Sequence, residues 1–287
     1  MSPDKEILVQ LYETNNIVAI AKQYGVASST VHYWFKCYGI TKKPRGYWHQ
    51  FIQKYDYNYE VFTRSDDVSY YLLGAFITDG CMKQGNASIS SADKDWLISI
   101  RDLICKDLPI TKEKSKCWRL NVRDFRIRGW LLQNGCVPRK SLVVQFPKIP
   151  TQYLPDFLRG CIDGDGSISH KRYKRYVGKN KRLYRFYSTN YTLTSASKSF
   201  IDAWSELLDT KNMGHSIYTT LPGNKTSTID GRIIQQKNTI YSLRAASGSA
   251  LSFLRWIYYP NHKVSMNRKR EKAEQIFRYY IKKEKSN

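Results

Sequence analysis

Acidic residues and long apolar runs are both scarce in this 287-residue chain. Asp and Glu number 24 against 47 Lys and Arg, which gives a formal net charge of +23. A surplus of this size predicts a polyanionic partner, with nucleic acid first and an anionic membrane surface second. No apolar run is long enough to span a bilayer and no secretory signal is recognisable, so we expect a soluble, intracellular protein with no membrane partner.

Paired cysteines are also missing. The six cysteines are dispersed without a C-x-x-C spacing, at positions 37, 81, 105, 117, 136 and 161. The five histidines are dispersed as well. A zinc site, a disulfide framework or another metal cluster built on Cys or His is therefore not expected, and reduced packing cysteines are the default.

What the chain does contain is a short duplicated stretch. Residues 72–80 read LLGAFITDG and residues 158–166 read LRGCIDGDG. Two glycines and an aspartate recur at a single offset of 86 residues, pairing Gly74 with Gly160, Asp79 with Asp165, and Gly80 with Gly166. One offset that links three positions indicates an internal duplication.

Each copy reads as the C-terminal end of a helix. Good N-cap types, Ser65, Asp66 and Asp67, precede the first copy, and Pro155 and Asp156 suit the first turn of the second. Each copy then stops at a glycine, which predicts left-handed C-terminal caps at Gly80 and Gly166.

Small residues lie four apart within each predicted helix, Gly74 with Thr78 and Gly160 with Gly164. Positions i and i+4 share a helix face, and small side chains there allow two backbones to approach closely. If these faces pack together, the helices end side by side and Asp79 becomes a neighbour of Asp165.

Such a pair of carboxylates needs a cation. Helix C-termini carry partial negative charge, and two like charges at one spot repel. Hard divalent cations bound by carboxylate and carbonyl oxygen would relieve the conflict, and metal bridging two carboxylates is a recognised device for phosphodiester hydrolysis. Buried packing helices with acidic caps are the alternative, and a matched pair in a basic chain makes that alternative the weaker one.

The two motifs resemble the LAGLIDADG family of homing endonucleases, in the single-chain form that carries both copies, over roughly residues 67–280. By this resemblance Asp79 and Asp165 fill the eighth motif position, the metal-binding acid, and hold Mg²⁺ or Mn²⁺ with the carbonyls of Gly80 and Gly166. The first copy departs at its sixth position, where Ile77 replaces the usual acid that the second copy keeps as Asp163. That position is structural in the family, so the departure does not imply loss of activity.

The resemblance also implies one lysine per half near the scissile phosphate. By position these are Lys140, in Arg139-Lys140-Ser141, and Lys269, in Arg268-Lys269-Arg270. Each would orient water and offset developing charge. Lys263 remains a rival for the second position, and a plain surface charge is the alternative for each lysine.

Hydrophobic periodicity predicts the rest of both halves. Helix and hairpin signals alternate through the first copy and repeat, with longer hairpins, through the second. We expect an α+β fold of two pseudo-symmetric αββαββα halves forming a saddle of antiparallel strands, with a small all-α domain in front. The predicted boundaries are 1–45 for that domain, 46–66 for a linker that contains several aromatic residues, 67–149 for the first half and 150–287 for the second.

The first 45 residues resemble the helix-turn-helix of transposases and bacterial regulators. A helix over residues 4–13, a second helix with a glycine turn within 16–26 and a third helix capped by Ser28 or Ser29 are expected. The third helix would enter the major groove. Its expected DNA-facing residues are Ser28, Ser29, Thr30, His32 and Tyr33. An ordinary helical hairpin is the alternative.

One basic hairpin is the strongest single signal for nucleic acid. Eight of the fifteen residues from 171 to 185 are Lys or Arg, three are Tyr and none is acidic. Strand alternation puts one set on each face, so one face reads base edges while the other face or the loop contacts phosphate. The expected DNA-binding residues are Lys171, Arg172, Tyr173, Lys174, Arg175, Lys179, Lys181, Arg182 and Arg185. A solvated charge run is the alternative.

The resulting hypothesis is a monomeric, metal-dependent, site-specific endonuclease that cuts double-stranded DNA at a long asymmetric target. The family resemblance places such genes in mobile introns or free in phage and bacterial genomes, with the protein in the cytoplasm or nucleoid or in an organelle. Two other classes use the same scaffold, a non-catalytic DNA-binding regulator and an RNA-binding intron maturase. Retention of both acids argues against the regulator.

Overall fold

A computed structural model describes residues 2–43, 55–83, 85–113, 116–177, 182–223, 226–229 and 232–284. The chain divides into two compact units, Met1–Lys54 and Tyr55–Asn287. Within the described ranges, no helix combines the length and apolar character needed to cross a membrane.

The first unit contains three helices, α1 (Lys5–Thr14), α2 (Ile17–Gln23) and α3 (Ser28–Cys37). They enclose a small core that includes Leu8, Ile20 and Phe35. Asn16 caps α2 by accepting a hydrogen bond from the Ala19 amide. Gly25, between α2 and α3, has a φ of +63°, which glycine adopts without strain.

The predicted cap of α3 was wrong. Ser28 is the first helical residue, and the N-cap is Ala27, which offers no side-chain oxygen. The helix therefore begins one residue earlier than the capping preference of serine predicts. The consequence is local, because Ser28 and Ser29 still lie in the first turn of α3.

The first half of the second unit follows the predicted order of elements. Its sheet is antiparallel in the order β1-β2-β4-β3. Its elements are α4 (Glu60–Thr63), α5 (Asp67–Thr78), β1 (Gly80–Lys83), β2 (Asn86–Ser91), α6 (Lys94–Ile104), β3 (Ile110–Lys112), β4 (Trp118–Val122) and α7 (Phe125–Gln133).

The second half repeats that topology with longer strands. Its four-stranded sheet has the order β5-β6-β10-β7, in which the fourth main strand again lies between the second and third. Its elements are α8 (Leu154–Gly164), β5 (Ser167–Val177), β6 (Arg182–Ser195), α9 (Lys198–Thr210), β7 (Ser216–Thr220), β8 (Thr226–Ile229), β9 (Arg232–Gln235), β10 (Ile240–Ala246), α10 (Ser247–Ile257) and α11 (Asn267–Glu284). The α+β prediction of two matched halves is confirmed.

Two elements of the second half were not predicted. The ribbon β8–β9 forms its own two-stranded sheet inside the long connection between β7 and β10. Helix α11 is an 18-residue addition after α10, and it has no counterpart between α7 and α8. The two halves therefore share a core topology but differ in what surrounds it.

One face of each sheet packs against helices, as a half-exposed antiparallel sheet requires. In the first half, Ile89 and Leu120 are buried together with Trp96 of α6. In the second, Tyr191 stacks on Phe253 of α10 with ring centroids 4.1 Å apart. The segment before α4 belongs to the same core, because Tyr57 is buried and its hydroxyl accepts a hydrogen bond from the Arg123 amide. Of the other aromatic residues in the predicted linker, Tyr47, Trp48 and Phe51 lie outside the described residues.

Helices α5 and α8 pack backbone against backbone. An added Cβ at Gly74 would lie 2.9 Å from the Cys161 amide nitrogen and nearer still to the Phe157 carbonyl. An added Cβ at Gly160 would lie 2.9 Å from the Ala75 nitrogen. The predicted close approach at these glycines is therefore present in the structure. The contact joins the two halves through the elements that carry the motifs.

The glycines after the motifs have a different role from the one predicted. Neither Gly80 nor Gly166 has a positive φ, so neither helix ends in a left-handed cap. Asp79 and Asp165 are the C-cap residues, both with right-handed backbone. Glycine is needed because the chain turns back tightly, and a Cβ at Gly166 would lie 2.7 Å from the Cα of Ile162.

Candidate active site

Asp79 and Asp165 face each other where α5 and α8 end. The position of a Cβ at Gly164, the residue before Asp165, lies 3.6 Å from the Asp79 carboxyl carbon, so the two acids are close neighbours. Burial raises the pKa of Asp79 to about 7, and the adjacent Asp165 carboxyl adds to the rise. The two neighbouring carboxyl groups therefore disfavour each other's ionisation, and at neutral pH a proton or a cation is needed to offset their repulsion.

A lysine caps the end of each motif helix. Lys140 donates hydrogen bonds to the main-chain carbonyls of Thr78, at 3.2 Å, and Gly80. Lys269 donates to the carbonyls of Ile162, Asp163 and Gly164 at 2.6, 2.7 and 3.1 Å. Both side chains are buried to 8% exposure or less. Each ammonium lies against main-chain carbonyls at or just beyond the end of its helix, where the helix dipole places partial negative charge.

The alternatives for these lysines can now be compared. Lys263 lies at the other end of the motif helix, where it forms an exposed ion pair with Asp67, the first residue of α5. Twelve helical residues, about 18 Å, separate that end from Asp79. Lys269 is therefore the structural counterpart of Lys140. Burial lowers the pKa of Lys269 to about 8, while nearby Asp163 opposes the shift.

A cavity of about 240 Å³ opens at Asp165, where α8 ends, and at Thr78, the residue before Asp79. Thr78 and Lys140 line it from the first half, and Asp165 and Thr194, which is part of β6, line it from the second. The site is therefore a notch that both halves line, and it continues onto the strand face that carries Thr194.

The sixth motif position is buried in both copies. Asp163 is fully buried and accepts hydrogen bonds from the Tyr71 hydroxyl at 2.8 Å, the Tyr258 hydroxyl at 2.6 Å and the Met266 amide at 2.7 Å. Ile77, the residue in the first copy, is also buried. Burial raises the pKa of Asp163, and its three donors oppose the rise. This acid therefore does not face the notch.

The polar network around Asp163 was not foreseen. The Tyr71 hydroxyl also accepts a hydrogen bond from the Trp96 indole at 2.7 Å, so the chain of contacts runs from α6 to α8 and α10. A second buried group pairs Arg159 with Asp156 at 2.6 Å. Tyrosines and tryptophans in apolar stretches read as ordinary core residues, so the sequence held no signal for these contacts.

The basic hairpin is the β5–β6 pair, in continuous antiparallel register from Ser167–Thr192 to Val177–Arg182. Lys171, Tyr173 and Arg175 alternate with Arg172, Lys174 and Tyr176, as strand geometry requires. All six side chains are exposed. Arg182 and Arg185 occupy β6, and Lys179 and Lys181 lie outside the described residues.

The candidate DNA contacts of the first unit lie on α3. Ser29, His32 and Tyr33 are exposed, and Ser28 and Thr30 are partly exposed. Val31, Trp34 and Phe35 face the small core instead. The side of α3 that the sequence assigns to DNA is therefore available for a partner, and its contact with DNA remains a prediction.

The donor set fits a hard divalent cation. Carboxylate and carbonyl oxygens are the ligands such cations prefer, and a cation between Asp79 and Asp165 would replace the proton that the raised pKa of Asp79 retains. Across the described ranges, no group of three or more His, Cys, Asp or Glu side chains is placed to hold a metal. The Gly80 carbonyl already accepts from Lys140, so its assignment as a metal ligand, like that of Gly166, remains a prediction.

The match to a known family lies in the second half of the chain and includes the second motif copy. Residues 153–255 match the family model described as a LAGLIDADG-like domain. A search of curated proteins gave no match. Solved structures that resemble the chain include the meganuclease I-SmaMI bound to uncleavable DNA, at 9% identity and a TM-score of 0.47, covering 76% of this chain and 90% of that one. The LAGLIDADG meganuclease I-AabMI bound to uncleaved DNA resembles it at 14% identity and a TM-score of 0.46, covering 76% and 91%.

Proposed function

We propose that this chain, which contains a LAGLIDADG-like domain, is a monomeric, site-specific endonuclease that cuts double-stranded DNA with divalent metal ions. One observation carries the proposal. Two close-packed helices, one from each half, deliver Asp79 and Asp165 to a single notch, and burial with mutual repulsion raises the pKa of Asp79 to about 7. Two carboxyl groups held together in this way destabilise the fold, and strongly raised pKa values of this kind are typical of functional sites, here one that binds a cation.

The residues of the notch divide the work. Asp79 and Asp165 would hold the cations through their carboxylate oxygens. When bound, the cations supply Lewis acidity at the phosphoryl oxygens and increase the acidity of water. Lys140 and Lys269 fix the ends of α5 and α8 and place positive charge beside the phosphates.

Charge and shape support DNA as the substrate. The net charge of +23 favours a polyanion, and the exposed cations of β5 lie on strands that continue from the notch. The strands of the second half are longer, with 11 and 14 residues in β5 and β6 against 4 and 6 in β1 and β2. The two half-sites should therefore differ, and α3 would add contacts beyond one end of the target.

A selection on randomised DNA tests the proposal. The purified chain is incubated with the library in Mg²⁺ to recover cut molecules and in Ca²⁺ to recover bound ones. We expect one long asymmetric sequence in both pools, cut on both strands in Mg²⁺. Binding without cutting in Mg²⁺ or Mn²⁺ would instead indicate a regulator. Absence of DNA binding, with stimulated splicing of an intron RNA, would indicate a maturase.

A further inference from the structure

The register of the basic hairpin identifies which of its faces continues from the notch. Thr194 of β6 lines the cavity together with Asp165. Alternate residues of a strand share a face, so Phe186, eight positions earlier on β6, projects to the same side as Thr194. The intervening Tyr191 and Leu193 point the other way and are buried under helices. We call the side of Thr194 and Phe186 the notch face.

Two aromatic residues occupy the notch face far from the notch. Tyr173 of β5 is the cross-strand partner of Phe186, and their rings stack with centroids 5.8 Å apart and planes 22° apart. The two side chains remain 46% and 45% exposed. We call this pair the aromatic platform. Its upper surface is apolar and faces the space that the proposed function assigns to DNA.

On the opposite face of the same hairpin, the aromatic residues are covered by a helix. There His170 stacks on Tyr187 at 4.7 Å, and Tyr279 of α11 packs against both rings at 5.0 and 4.6 Å. Helix α11 thus covers the near part of that face. The aromatic platform is also a stacked pair of rings, but no helix covers it among the described residues. It is therefore an exposed apolar surface to which another molecule can bind.

A cross-strand aromatic pair can stabilise a hairpin by itself. Its neighbours on the notch face indicate a further role, because exposed Lys171 and Arg175 lie two residues before and after Tyr173. Lys and Arg are the side chains that pair with guanine in the major groove, where the only apolar group on a base edge is the methyl of thymine. An apolar platform between two cations matches that pattern of donors and methyl groups.

We propose that Tyr173 and Phe186 read the 5-methyl groups of one or two thymines in the half-site bound by the second half of the chain. This inference rests on the proposed binding of double-stranded DNA. Tyr173 lies eight residues beyond Asp165, which corresponds to roughly 26 Å of strand at about 3.3 Å per residue. The recognised thymines should therefore lie about six to eight base pairs from the cut, since base pairs stack about 3.4 Å apart.

Replacing thymine by deoxyuridine removes only the methyl group and so tests the inference directly. Each thymine of the selected target is replaced in turn, and affinity is measured in Ca²⁺ by gel shift or fluorescence anisotropy. For the wild-type chain we expect a loss of about fourfold for each methyl contact, from one buried methyl group, at one or two positions six to eight base pairs from the cut. Elsewhere in that half-site the replacement should have little effect.

Variants assign the effect to the platform. In Tyr173→Ala/Phe186→Ala the deoxyuridine penalty should disappear, whereas Tyr173→Phe, which keeps the ring, should retain it. The matched control is Tyr176→Ala/Leu183→Ala, because these residues are also cross-strand partners, are 67% and 37% exposed, and lie on the opposite face. That control should keep the full penalty. Each variant is compared with itself on two DNAs, so a change in hairpin stability alone does not produce the result.

Three outcomes would overturn the inference. One is a selected target without thymine in the stated window. Another is a wild-type chain that binds the target but shows no methyl dependence there. The third is a penalty that survives Tyr173→Ala/Phe186→Ala. Each of these leaves specific DNA binding intact, whereas a chain that binds no DNA at all fails the proposed function itself.

Discussion

Asp79 and Asp165 have the same side chain but unequal surroundings. Asp79 is largely buried and retains its proton up to a pH of about 7, while the Asp165 side chain is exposed to solvent. Asp163, two residues before Asp165, is completely buried and is held by three donors. Position within one motif therefore separates Asp165, the acid proposed to bind a cation, from Asp163, an acid that joins the two halves through hydrogen bonds.

The raised pKa of Asp79 predicts a pH-dependent cost to the metal-free protein. Below about pH 4 the group is neutral in both the folded and the unfolded chain. Between about pH 4 and 7 the folded chain binds more protons, so its stability falls as pH rises, and the full penalty applies above 7. Asp79→Asn should thus be more stable than wild type by roughly 1–3 kcal/mol at pH 8, and equal to it near pH 4.

Urea denaturation in EDTA at both pH values measures this difference. Asp163→Asn serves as the contrasting variant, because an amide cannot accept all three hydrogen bonds of that buried carboxylate. It should lower stability at pH 8, where Asp79→Asn raises it. A wild-type chain more stable than Asp79→Asn at pH 8 without metal would show that Asp79 carries no such strain.

Lys269 predicts the alkaline limit of activity. Burial lowers the pKa of its ammonium to about 8, so the group loses its charge as pH rises through that value. With Asp79 near 7, cleavage should follow a narrow bell, and its acid limb should move to lower pH as Mg²⁺ increases. In Lys269→Arg the alkaline limb should move up by more than one pH unit, because guanidinium stays protonated. Single-turnover rates from pH 6 to 10 measure this, and an unchanged alkaline limb would contradict the assignment.

The sequence predicts the acids and lysines of the site but not the contacts that hold Asp163. The repeated motif predicts Asp79 and Asp165, the family resemblance implies Lys140 and Lys269, and the structure brings all four together. The hydrogen bonds of Asp163 to Tyr71 and Tyr258 could not be predicted, because they join residues about 90 positions apart and depend on how the halves pack. Local sequence carries no record of such contacts.

At the scale of elements, the α5–α8 contact determines everything at the notch. Gly74 and Gly160 let each helix touch the main chain of the other, which aligns the two helix ends. Even a methyl group at either glycine would collide with backbone, which cannot rotate away as a side chain does. The spacing of small residues predicted this contact, since the requirement is local and repeats in both copies.

Alanine substitutions at glycine test the contact with a matched control. Gly74→Ala or Gly160→Ala should lower the free energy of unfolding by about 3 kcal/mol or more, because an overpacked core costs 1–3 kcal/mol and here the obstacle is backbone. Gly129, within α7, has open space around its Cβ position, so Gly129→Ala should raise stability by about 0.5–1 kcal/mol. Chemical denaturation of the three variants decides the question. Equal effects at all three positions would show that the helices do not depend on this contact.

Helix α11 and the ribbon β8–β9 are the two elements of the second half that the sequence did not predict. In α11 the buried positions Lys269, Ala273 and Ile276 follow a helical spacing, but only two of them are apolar, so the pattern was hidden among charges. The ribbon β8–β9 lies inside a connection that the sequence marked as one long hairpin. Such additions lie outside the repeated core, and no second copy of them was present to reveal them.

At the scale of the whole molecule, the same sheet topology occurs twice, but the second half has longer strands and additional elements. The halves share a strand order and a motif helix, while long basic strands and α11 belong to the second half alone. The sequence predicted this arrangement because duplication leaves a matched pattern, and the net charge of +23 indicated the class of partner. The shared notch, with one acid from each half, is what makes cutting of both strands the proposed outcome.

Cleavage of the selected target by single-acid variants tests that central claim most directly. Wild type, Asp79→Asn and Asp165→Asn are compared on one labelled duplex, with binding in Ca²⁺ measured alongside cutting in Mg²⁺. We expect both variants to bind DNA about as well as wild type and to lose double-strand cleavage by at least about a hundredfold, since the proposed function assigns each acid part of a shared cation site. Double-strand cleavage within tenfold of wild type in either variant would show that the paired carboxylates are not the catalytic centre.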